Sequence, residues 1–393
     1  MEILWEDQKM MAKNNLCAII NLTENDDALR PLTNNRPIAA LPFVSRYRLI
    51  DFMLSDITYA GIESVGLFIG DSGRSIYDHV RSGDSWDLDS SVRGGVFTFS
   101  QRNWKRAHRD DDDIEDYYYD HRIFMKRSRA DYVFIAGSKI LANVDIKAIH
   151  QQHLASDKDI TCVYKHVKQS SVGGDDPKEF AIIFDNNYKV NRIVQYTEVA
   201  NDETVNAALG MYILSVDKMN EIINRALKDD IYLELDELIR HYLMDYSINT
   251  YEYTGYVTNV DSIEQYYKAN MEMLDRKNFT ALFQSSIPIR TKSKNGAPTY
   301  YAVESDVTSS IVATDVFLAG KVRRSLINRR AVIEKDAVVK ESIILQGTKI
   351  GEGAQVEYAI IDKNCVVEPG AKVIGTKDNL VVIGKNTVIK AED

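Results

Sequence analysis

The sequence predicts an α/β domain with a mostly parallel sheet, followed by a C-terminal parallel β-helix. Three observations support this fold class. Short apolar runs alternate with helix-like stretches up to residue 285, a polar stretch with Gly and Pro follows at 291–298, and a regular repeat fills the rest. Strands that alternate with helices indicate a parallel sheet with helices on both faces. Self-similarity at a fixed period indicates a solenoid.

The apolar runs of the first domain have the composition of strands buried on both faces. The clearest runs are residues 16–22, 65–69, 132–136 and 160–164, with helix-like stretches between them at 50–60 and 144–156. Ligands of such a sheet bind at the carboxyl ends of the strands. The residues that follow each run are therefore candidates for a site.

The C-terminal part repeats a pattern of aliphatic and small residues every 17 residues. Columns recur in phase at Ile327, Ile344 and Ile361, at Ile333, Ile350 and Val367, at Val339, Val356 and Val373, and at Ala337, Ala354 and Ala371. Six-residue steps inside each unit are typical of a parallel β-helix with three faces per coil. Chance recurrence in a Val- and Ile-rich β-sandwich is the alternative.

These patterns predict the domain organisation. A length of 393 residues already favours more than one domain. We expect an N-terminal extension, a first domain, a linker and the β-helix at residues 1–11, 12–285, 286–304 and 305–393.

Composition and charge exclude several classes of protein. With 45% hydrophobic and 27% charged residues the chain is globular in composition, and no apolar run is long enough to span a bilayer. A net charge of −10 argues against nucleic-acid binding, which needs clustered Lys and Arg. The three cysteines are far apart and the start lacks a signal-peptide pattern. We therefore expect a cytoplasmic protein with no nucleic-acid or membrane partner.

The N-terminal motifs resemble those of a known enzyme family. In chain order the motifs are Leu29-Arg30-Pro31-Leu32-Thr33, Arg36, Pro42-Phe43, Tyr47-Arg48-Leu49-Ile50-Asp51-Phe52, Trp86-Asp87-Leu88, Gly210-Met211-Tyr212 and Tyr266-Tyr267. They are similar to those of ADP-glucose pyrophosphorylases, the glucose-1-phosphate adenylyltransferases of glycogen and starch synthesis. The resemblance extends from about Asn14 into the repeat. It implies a Rossmann-like nucleotidyltransferase domain, a left-handed β-helix of hexapeptide repeats, and a reaction of ATP with glucose-1-phosphate that yields ADP-glucose and pyrophosphate.

Positions that carry this chemistry in the family are replaced in this chain. Such transfers depend on Mg²⁺, Lys and Arg to neutralise charge on the phosphates. A loop Arg is replaced by Ala28, a Lys by Ile38, the Mg²⁺-binding Asp by Ser138, the second metal carboxylate by Asn259 and the sugar-phosphate Lys by Val199, whereas Glu198 is retained. The Gly-rich phosphate loop becomes an acidic segment at 21–27, which repels a triphosphate. A Gly-Thr segment of the nucleotide pocket becomes Asp113-Ile114.

The resemblance thus implies a chain with no intact catalytic site and no metal or cofactor of its own. The chain looks most like the noncatalytic D-type glycogen biosynthesis subunits of Gram-positive bacteria, whose catalytic partner needs the Mg²⁺. We expect a regulatory subunit in a homo- or hetero-tetramer, with a phosphorylated sugar as effector. The effector-binding candidates are Arg46, Arg48, Arg323, Arg324 and Arg330. Solubilising surface charge is the alternative explanation for such arginines.

Other functions stay open at this point. The chain could be a weakly active or rearranged sugar-nucleotide pyrophosphorylase that holds metal with Asp26, Asp27 or Asp261. It could also be a sensor of sugar phosphates. An acyltransferase, another role of β-helix proteins, is disfavoured because the last histidine, His241, precedes the repeat.

Overall fold

The computed structural model describes residues 15–70, 72–89, 94–100, 117–168, 179–195, 198 and 204–391. The chain divides into two compact units. The first, here called the sheet unit, comprises the residues up to 24 together with 53–257, and the second, the β-helix unit, comprises 25–52 together with 258–393. Most of the N-terminal motif segment therefore groups with the β-helix. The division at 286–304 stays a prediction.

The strands that precede the repeat are spread along the chain up to residue 259. They are β1 (Leu16–Leu22), β2 (Pro42–Phe43), β3 (Tyr47–Arg48), β4 (Ser64–Ile69), β5 (Gly95–Ser100), β6 (Tyr132–Ala136), β7 (Ile140–Leu141), β8 (Ile160–Lys168), β9 (Phe180–Phe184), β10 (Val190–Gln195), β11 (Thr204–Ser215), β12 (Ile248–Glu252) and β13 (Thr258–Asn259).

The α-helices of the described residues all precede the repeat. They are α1 (Ile50–Tyr59), α2 (Arg74–Val80), α3 (Tyr119–Ser128), α4 (Ile146–Ser156), α5 (Val216–Lys228), α6 (Leu235–Tyr242), α7 (Ile263–Glu272) and α8 (Arg276–Phe283). Within the described ranges, no helix is both long enough and apolar enough to cross a membrane.

Strand β1 occupies a central place in the sheet unit. It pairs in parallel with β4 and β6, so that Ile20 lies opposite both Leu67 and Ala136, and β5 continues in parallel beyond β4. Every residue of β1 is buried, as expected for a strand with neighbours on both edges. The strands predicted from the apolar runs are confirmed as β1, β4, β6 and β8.

The other part of this sheet is antiparallel. β11 runs antiparallel to β6, β8 and β9, and β9 pairs with β10 as an antiparallel hairpin. The pairing of β11 with β8 shifts register between Ala208 and Tyr212, where Gly210 has a φ of 62°. Glycine suits this irregularity because residues with a side chain are strained at positive φ. The predicted Rossmann-like α/β class is confirmed. Its sheet contains both parallel and antiparallel strand pairs.

The repeat forms the left-handed β-helix that was predicted. Its strands are β14 (Tyr300–Tyr301), β15 (Asp306–Thr308), β16 (Ile311–Val312), β17 (Phe317–Leu318), β18 (Lys321–Arg323), β19 (Leu326–Ile327), β20 (Val332–Ile333), β21 (Val338–Lys340), β22 (Ile343–Ile344), β23 (Lys349–Ile350), β24 (Gln355–Glu357), β25 (Ala359–Ile361), β26 (Val366–Val367), β27 (Lys372–Ile374), β28 (Val381–Ile383) and β29 (Val388–Ile389). Every third strand pairs in parallel, which builds three flat sheets. The first strand lies ahead of the predicted start at residue 305.

The predicted columns fill the interior of the β-helix. Ile327, Ile344 and Ile361 pair in successive coils, and none of them is exposed. The 17-residue spacing ends where Ile361 pairs with Ile383, because the chain makes an extra turn at 375–380. Columns of similar aliphatic residues suit this fold, because the inward side chains of each coil pack against the same positions of the neighbouring coils.

Segment 25–52 and helix α7 pack together inside the β-helix unit. The Tyr266 hydroxyl, fully buried, donates to the Pro42 carbonyl at 2.7 Å. The Tyr267 hydroxyl donates to the Glu341 carbonyl at 2.7 Å. The Tyr-Tyr motif thus joins the N-terminal motif segment to a coil of the repeat.

Candidate functional site

In the sheet unit, a carboxylate contacts Ser138, the residue that the resemblance aligns with a metal-binding Asp of the family. Glu24 accepts hydrogen bonds from the Ser138 N–H at 2.9 Å, the Ser138 hydroxyl at 2.5 Å and the Lys139 N–H at 3.0 Å. The pair meets because β1 and β6 are adjacent parallel strands that end just before these residues. The residue that the resemblance aligns with a metal ligand is therefore hydrogen-bonded to the chain's own carboxylate.

The surroundings of Glu24 are also acidic. The Lys139 ammonium lies 3.0 Å from the Glu179 carboxylate, and Asn21 donates to Asp236 at 3.0 Å. Burial raises the pKa of both Glu24 and Asp236, and the charge of Lys139 opposes this only in part. Among these residues the one cation, Lys139, is already paired with a carboxylate, which disfavours binding of a polyphosphate.

Ala28 and Ile38, which the resemblance aligns with an Arg and a Lys of the family, each lie in one turn of 3-10 helix within the β-helix unit. Ala28 is exposed, whereas Ile38 is buried with 2% of its surface exposed. Neither side chain carries a charge, so neither can neutralise a phosphate. The apolar environment of Ile38 would also penalise a cation placed there.

The resemblance implies Mg²⁺ held by carboxylates at positions 138 and 259. Ser138 presents a hydroxyl that donates to Glu24, and the buried Asn259 amide donates to Asp261 at 3.1 Å. Mg²⁺ prefers hard oxygens, usually carboxylate, in octahedral geometry. The side chains at these two positions therefore do not fit the metal. In the part of the chain that the structure describes, no group of three or more His, Cys, Asp or Glu side chains is arranged to hold a metal ion.

Two other sequence-derived candidates, Asp27 and Glu198, contribute little to this site. Asp27 forms an exposed ion pair with Arg30 at 2.9 Å. Glu198 is exposed, and its carboxylate accepts a hydrogen bond from the Gln195 N–H at 3.4 Å. Val199 and the Asp113-Ile114 segment lie outside the described residues.

The predicted effector arginines of the repeat are exposed and ion-paired. The pairs are Arg323 with Asp306 at 3.0 Å, Arg324 with Glu341 at 2.8 Å, and Arg330 with Asp315 at 3.2 Å. The arginine side chains are 57–63% exposed, so these pairs resemble ordinary surface ion pairs.

The two N-terminal effector candidates differ from each other. The exposed Arg46 guanidinium lies 5.7 Å from the centroid of the Tyr47 ring. Arg48 is partly buried, and its N–H donates to the Asp51 carboxylate at 3.0 Å. Arg48 belongs to a larger group of cations in the β-helix unit.

We call Arg36, Arg48, Lys294 and Lys363 the basic cluster. Burial, and then the positive charges of Arg36 and Arg48, lower the pKa of Lys363 to about 7. Desolvation, and then the charges of Arg48 and Arg329, lower the pKa of Lys294 to about 8. Cations that repel one another in this way gain stability when an anion binds among them. Asp362, which lies 2.7 Å from Arg36, and Asp51 offset these charges in part. The basic cluster is a candidate site for a phosphate group.

Comparison with known proteins identifies the family. The profile of the nucleotidyl transferase family matches residues 27–276, more than half of the chain. The chain belongs to the nucleotidyl transferase family. The profile of a second family, the GlmU-like C-terminal hexapeptide, matches residues 299–380, in agreement with the β-helix.

Among nucleotidyl transferase family members, the chain is similar to two kinds of protein. It is 29% identical to the glycogen biosynthesis protein GlgD of Bacillus subtilis over 380 residues, which is 96% of this chain and 98% of that protein. It is 34% identical to GlgD of Geobacillus stearothermophilus over 316 residues, 80% of each chain. It is 24% identical to the glucose-1-phosphate adenylyltransferase of Bacillus cytotoxicus over 395 residues, 96% of this chain and all of that enzyme.

Sequence reasoning about this nucleotidyl transferase family member missed two features of the site. It did not pair Glu24 with Ser138, although an acid lost at 138 and a Glu present in the 21–27 loop were both visible. It also placed Lys294 in a linker and did not consider Lys363. The lysines at 292 and 294 of that linker were the available signal. Only the fold brings Lys294 near enough to lower the pKa of Lys363.

Proposed function

We propose that the chain is a noncatalytic regulatory subunit of a glucose-1-phosphate adenylyltransferase in glycogen biosynthesis. In this role it binds an active homologous subunit and changes that subunit's turnover or effector response. The partner supplies the Mg²⁺ site and makes ADP-glucose from ATP and glucose-1-phosphate. The complex is a cytoplasmic heterotetramer.

The contact between Glu24 and Ser138 carries this proposal. An adenylyltransferase must hold several phosphates and a metal, so its site needs cations and metal-binding carboxylates. Here a carboxylate accepts hydrogen bonds from the residue at the metal position, while Ala28, Ile38 and Asn259 are uncharged. Loss of one such electrostatic contact costs about 10²–10³ in rate in other enzymes. Losses within one site are not additive, but any of them leaves little activity.

The relatives support the pathway and the partner. Two similar proteins are named for glycogen biosynthesis, and another is named a glucose-1-phosphate adenylyltransferase. The likeness to that enzyme spans 96% of this chain, including the β-helix. Chains that share a fold over their whole length can assemble with the same symmetry as a homo-oligomer.

The basic cluster supports regulation by a phosphorylated sugar. Its residues come from segment 25–52, the 291–298 stretch and a β-helix coil. An effector bound there changes the partner's activity only if it binds more tightly to one of the complex's two states. Arg46, which is exposed beside Tyr47, is a second candidate contact for the effector.

Co-purification with a catalytic homologue tests the proposal. A tagged copy of this chain is expressed with an untagged glucose-1-phosphate adenylyltransferase, and ADP-glucose formation is measured for each protein and for the mixture. The proposal expects a stable complex whose kcat or effector response differs from that of the catalytic subunit alone. Absence of a complex, or a complex with unchanged kinetics, contradicts it.

Two variants separate assembly from regulation. Lys363→Met removes a cation of the basic cluster, and we expect a complex that forms normally but responds less to a phosphorylated effector. Lys372→Met removes an exposed lysine of β27, and we expect no change in either property. The same assays on this chain alone detect a weakly active pyrophosphorylase, the alternative function.

A further inference from the structure

The end of β6 has the arrangement of an oxyanion site. The N–H groups of Ser138 and Lys139 and the hydroxyl of Ser138 all donate to one carboxylate, that of Glu24, at distances of 2.5–3.0 Å. Successive backbone N–H groups that converge on one point form a concave site for anions. Hydrogen bonds to a charged oxygen are about twice as strong as neutral ones. The donors at 138 and 139 are therefore fully used by an acceptor from the same chain.

Gly137 allows the carboxylate to approach this closely. A Cβ atom at position 137 would lie 2.3 Å from Glu24 Oε1, well inside van der Waals contact. The carboxylate thus lies against bare backbone as well as against the donors. In an α/β sheet the crevice beyond the carboxyl ends of adjacent parallel strands is the usual place for a ligand. β1 and β6 are such strands, and Glu24 lies just beyond the carboxyl end of β1.

We propose that residues 137–139 form an oxyanion-binding site whose resident occupant is the Glu24 carboxylate. The class of ligand is a carboxylate or similar oxyanion, here supplied internally. This proposal rests on the proposed function, because only a chain that does not bind Mg·ATP can keep the donors of residues 138 and 139 bound to Glu24 at all times. A consequence is that the metal position cannot be restored by a change at Ser138 alone.

Ser138→Asp makes this consequence measurable. The new carboxylate would lie within hydrogen-bond distance of Glu24, so two like charges would meet and the hydroxyl donor would be lost. We expect the Tm of Ser138→Asp to fall by several degrees and to recover most of this loss when Glu24→Gln is added. Asp27→Asn, an exposed acid of the same loop, is the matched control and should not rescue it. A Ser138→Asp protein as stable as the wild type, or equal rescue by Asp27→Asn, overturns the proposal.

Chemical rescue tests the site without relying on Ser138. Glu24→Ala leaves the donors without their acceptor, so its Tm should fall and should rise again in potassium acetate more than in potassium chloride of the same ionic strength. Glu24→Gln keeps an acceptor oxygen and fills the space, so acetate should have no specific effect on it. If acetate and chloride act alike on Glu24→Ala, the site does not exist.

Gly137→Ala provides a second route if Glu24→Ala does not fold. The added methyl group must displace the Glu24 carboxylate, so we expect a lower Tm in the wild-type background and a smaller loss when combined with Glu24→Gly. Equal losses in both backgrounds contradict the proposal. These stability readouts do not depend on activity, so a catalytically active chain would refute the proposed function while leaving this site intact.

Discussion

Arg36 and Asp362 form a buried ion pair within the β-helix unit. The guanidinium lies 2.7 Å from the carboxylate, and the two side chains are 6% and 3% exposed. Arg36 belongs to the N-terminal motif segment and Asp362 to a coil of the repeat. The pair links these two parts of the chain and places Arg36 in the basic cluster beside Lys363.

Asp362→Asn should destabilise the protein strongly. Removing one partner of a buried pair leaves the other charge uncompensated, at a cost of about 3–5 kcal/mol. Asp315→Asn breaks the exposed pair with Arg330 and should cost no more than about 1 kcal/mol. Urea unfolding of both variants measures the difference. If the two variants unfold at similar urea concentrations, the Arg36–Asp362 pair does not stabilise the contact between the N-terminal motif segment and the repeat.

Asp56 should make stability fall as pH rises. It has no exposed surface, and burial, then the neighbouring charge of Asp145, raise its pKa well above the ordinary value. A carboxyl with a raised folded-state pKa is stabilised while protonated, and this stability is lost as pH rises through that pKa. Asp56→Asn should therefore raise the Tm at neutral and alkaline pH, and its advantage should vanish in acid.

Asp159 is the control, because its pKa is shifted in the opposite direction to that of Asp56. Hydrogen bonds from Ser247 and the charge of Lys218 lower its pKa, so its contribution is present at neutral pH and is lost as pH falls through the folded-state value. Asp159→Asn should lower the Tm at pH 7 and converge with the wild type in acid. Thermal melts of Asp56→Asn, Asp159→Asn and the wild type across pH test both predictions. If the Tm of the two variants, relative to the wild type, changes with pH in the same direction, the pKa shifts described here are contradicted.

Anion binding by the basic cluster should weaken as pH rises. Lys363 and Lys294, with pKa values of about 7 and about 8, are fully charged only below these values. Sulfate is a suitable probe because it stays a dianion throughout this pH range. We expect it to bind about tenfold more tightly at pH 6 than at pH 9, which is the change produced by a shift of about one pKa unit. Isothermal titration calorimetry at the two pH values measures this difference. Lys363→Met should bind weakly at pH 6 and depend less on pH, whereas Lys372→Met should match the wild type.

Much of the fold could be predicted because the relevant signals are local. β1 is a run of consecutive apolar residues, and the Ile327 column repeats at a fixed interval. The antiparallel course of β11 could not be predicted, because an apolar strand has the same composition whichever way it runs. It depends instead on pairing with β6 and β8, which are distant in sequence.

The sequence predicts which residues belong to the candidate site, but it does not predict which of them contact one another. The resemblance to the family predicts that Ala28, Ile38, Ser138 and Asn259 replace its functional residues. The occupation of the Ser138 site by Glu24 could not be predicted, because it requires the ends of β1 and β6 to be adjacent.

We propose that this chain lacks the charges needed to make ADP-glucose. The most direct test is to incubate the purified chain with ATP, glucose-1-phosphate and Mg²⁺ and to measure ADP-glucose and pyrophosphate, with a catalytic homologue as positive control. We expect no product above the protein-free background. Turnover comparable to that of the homologue would contradict this proposal.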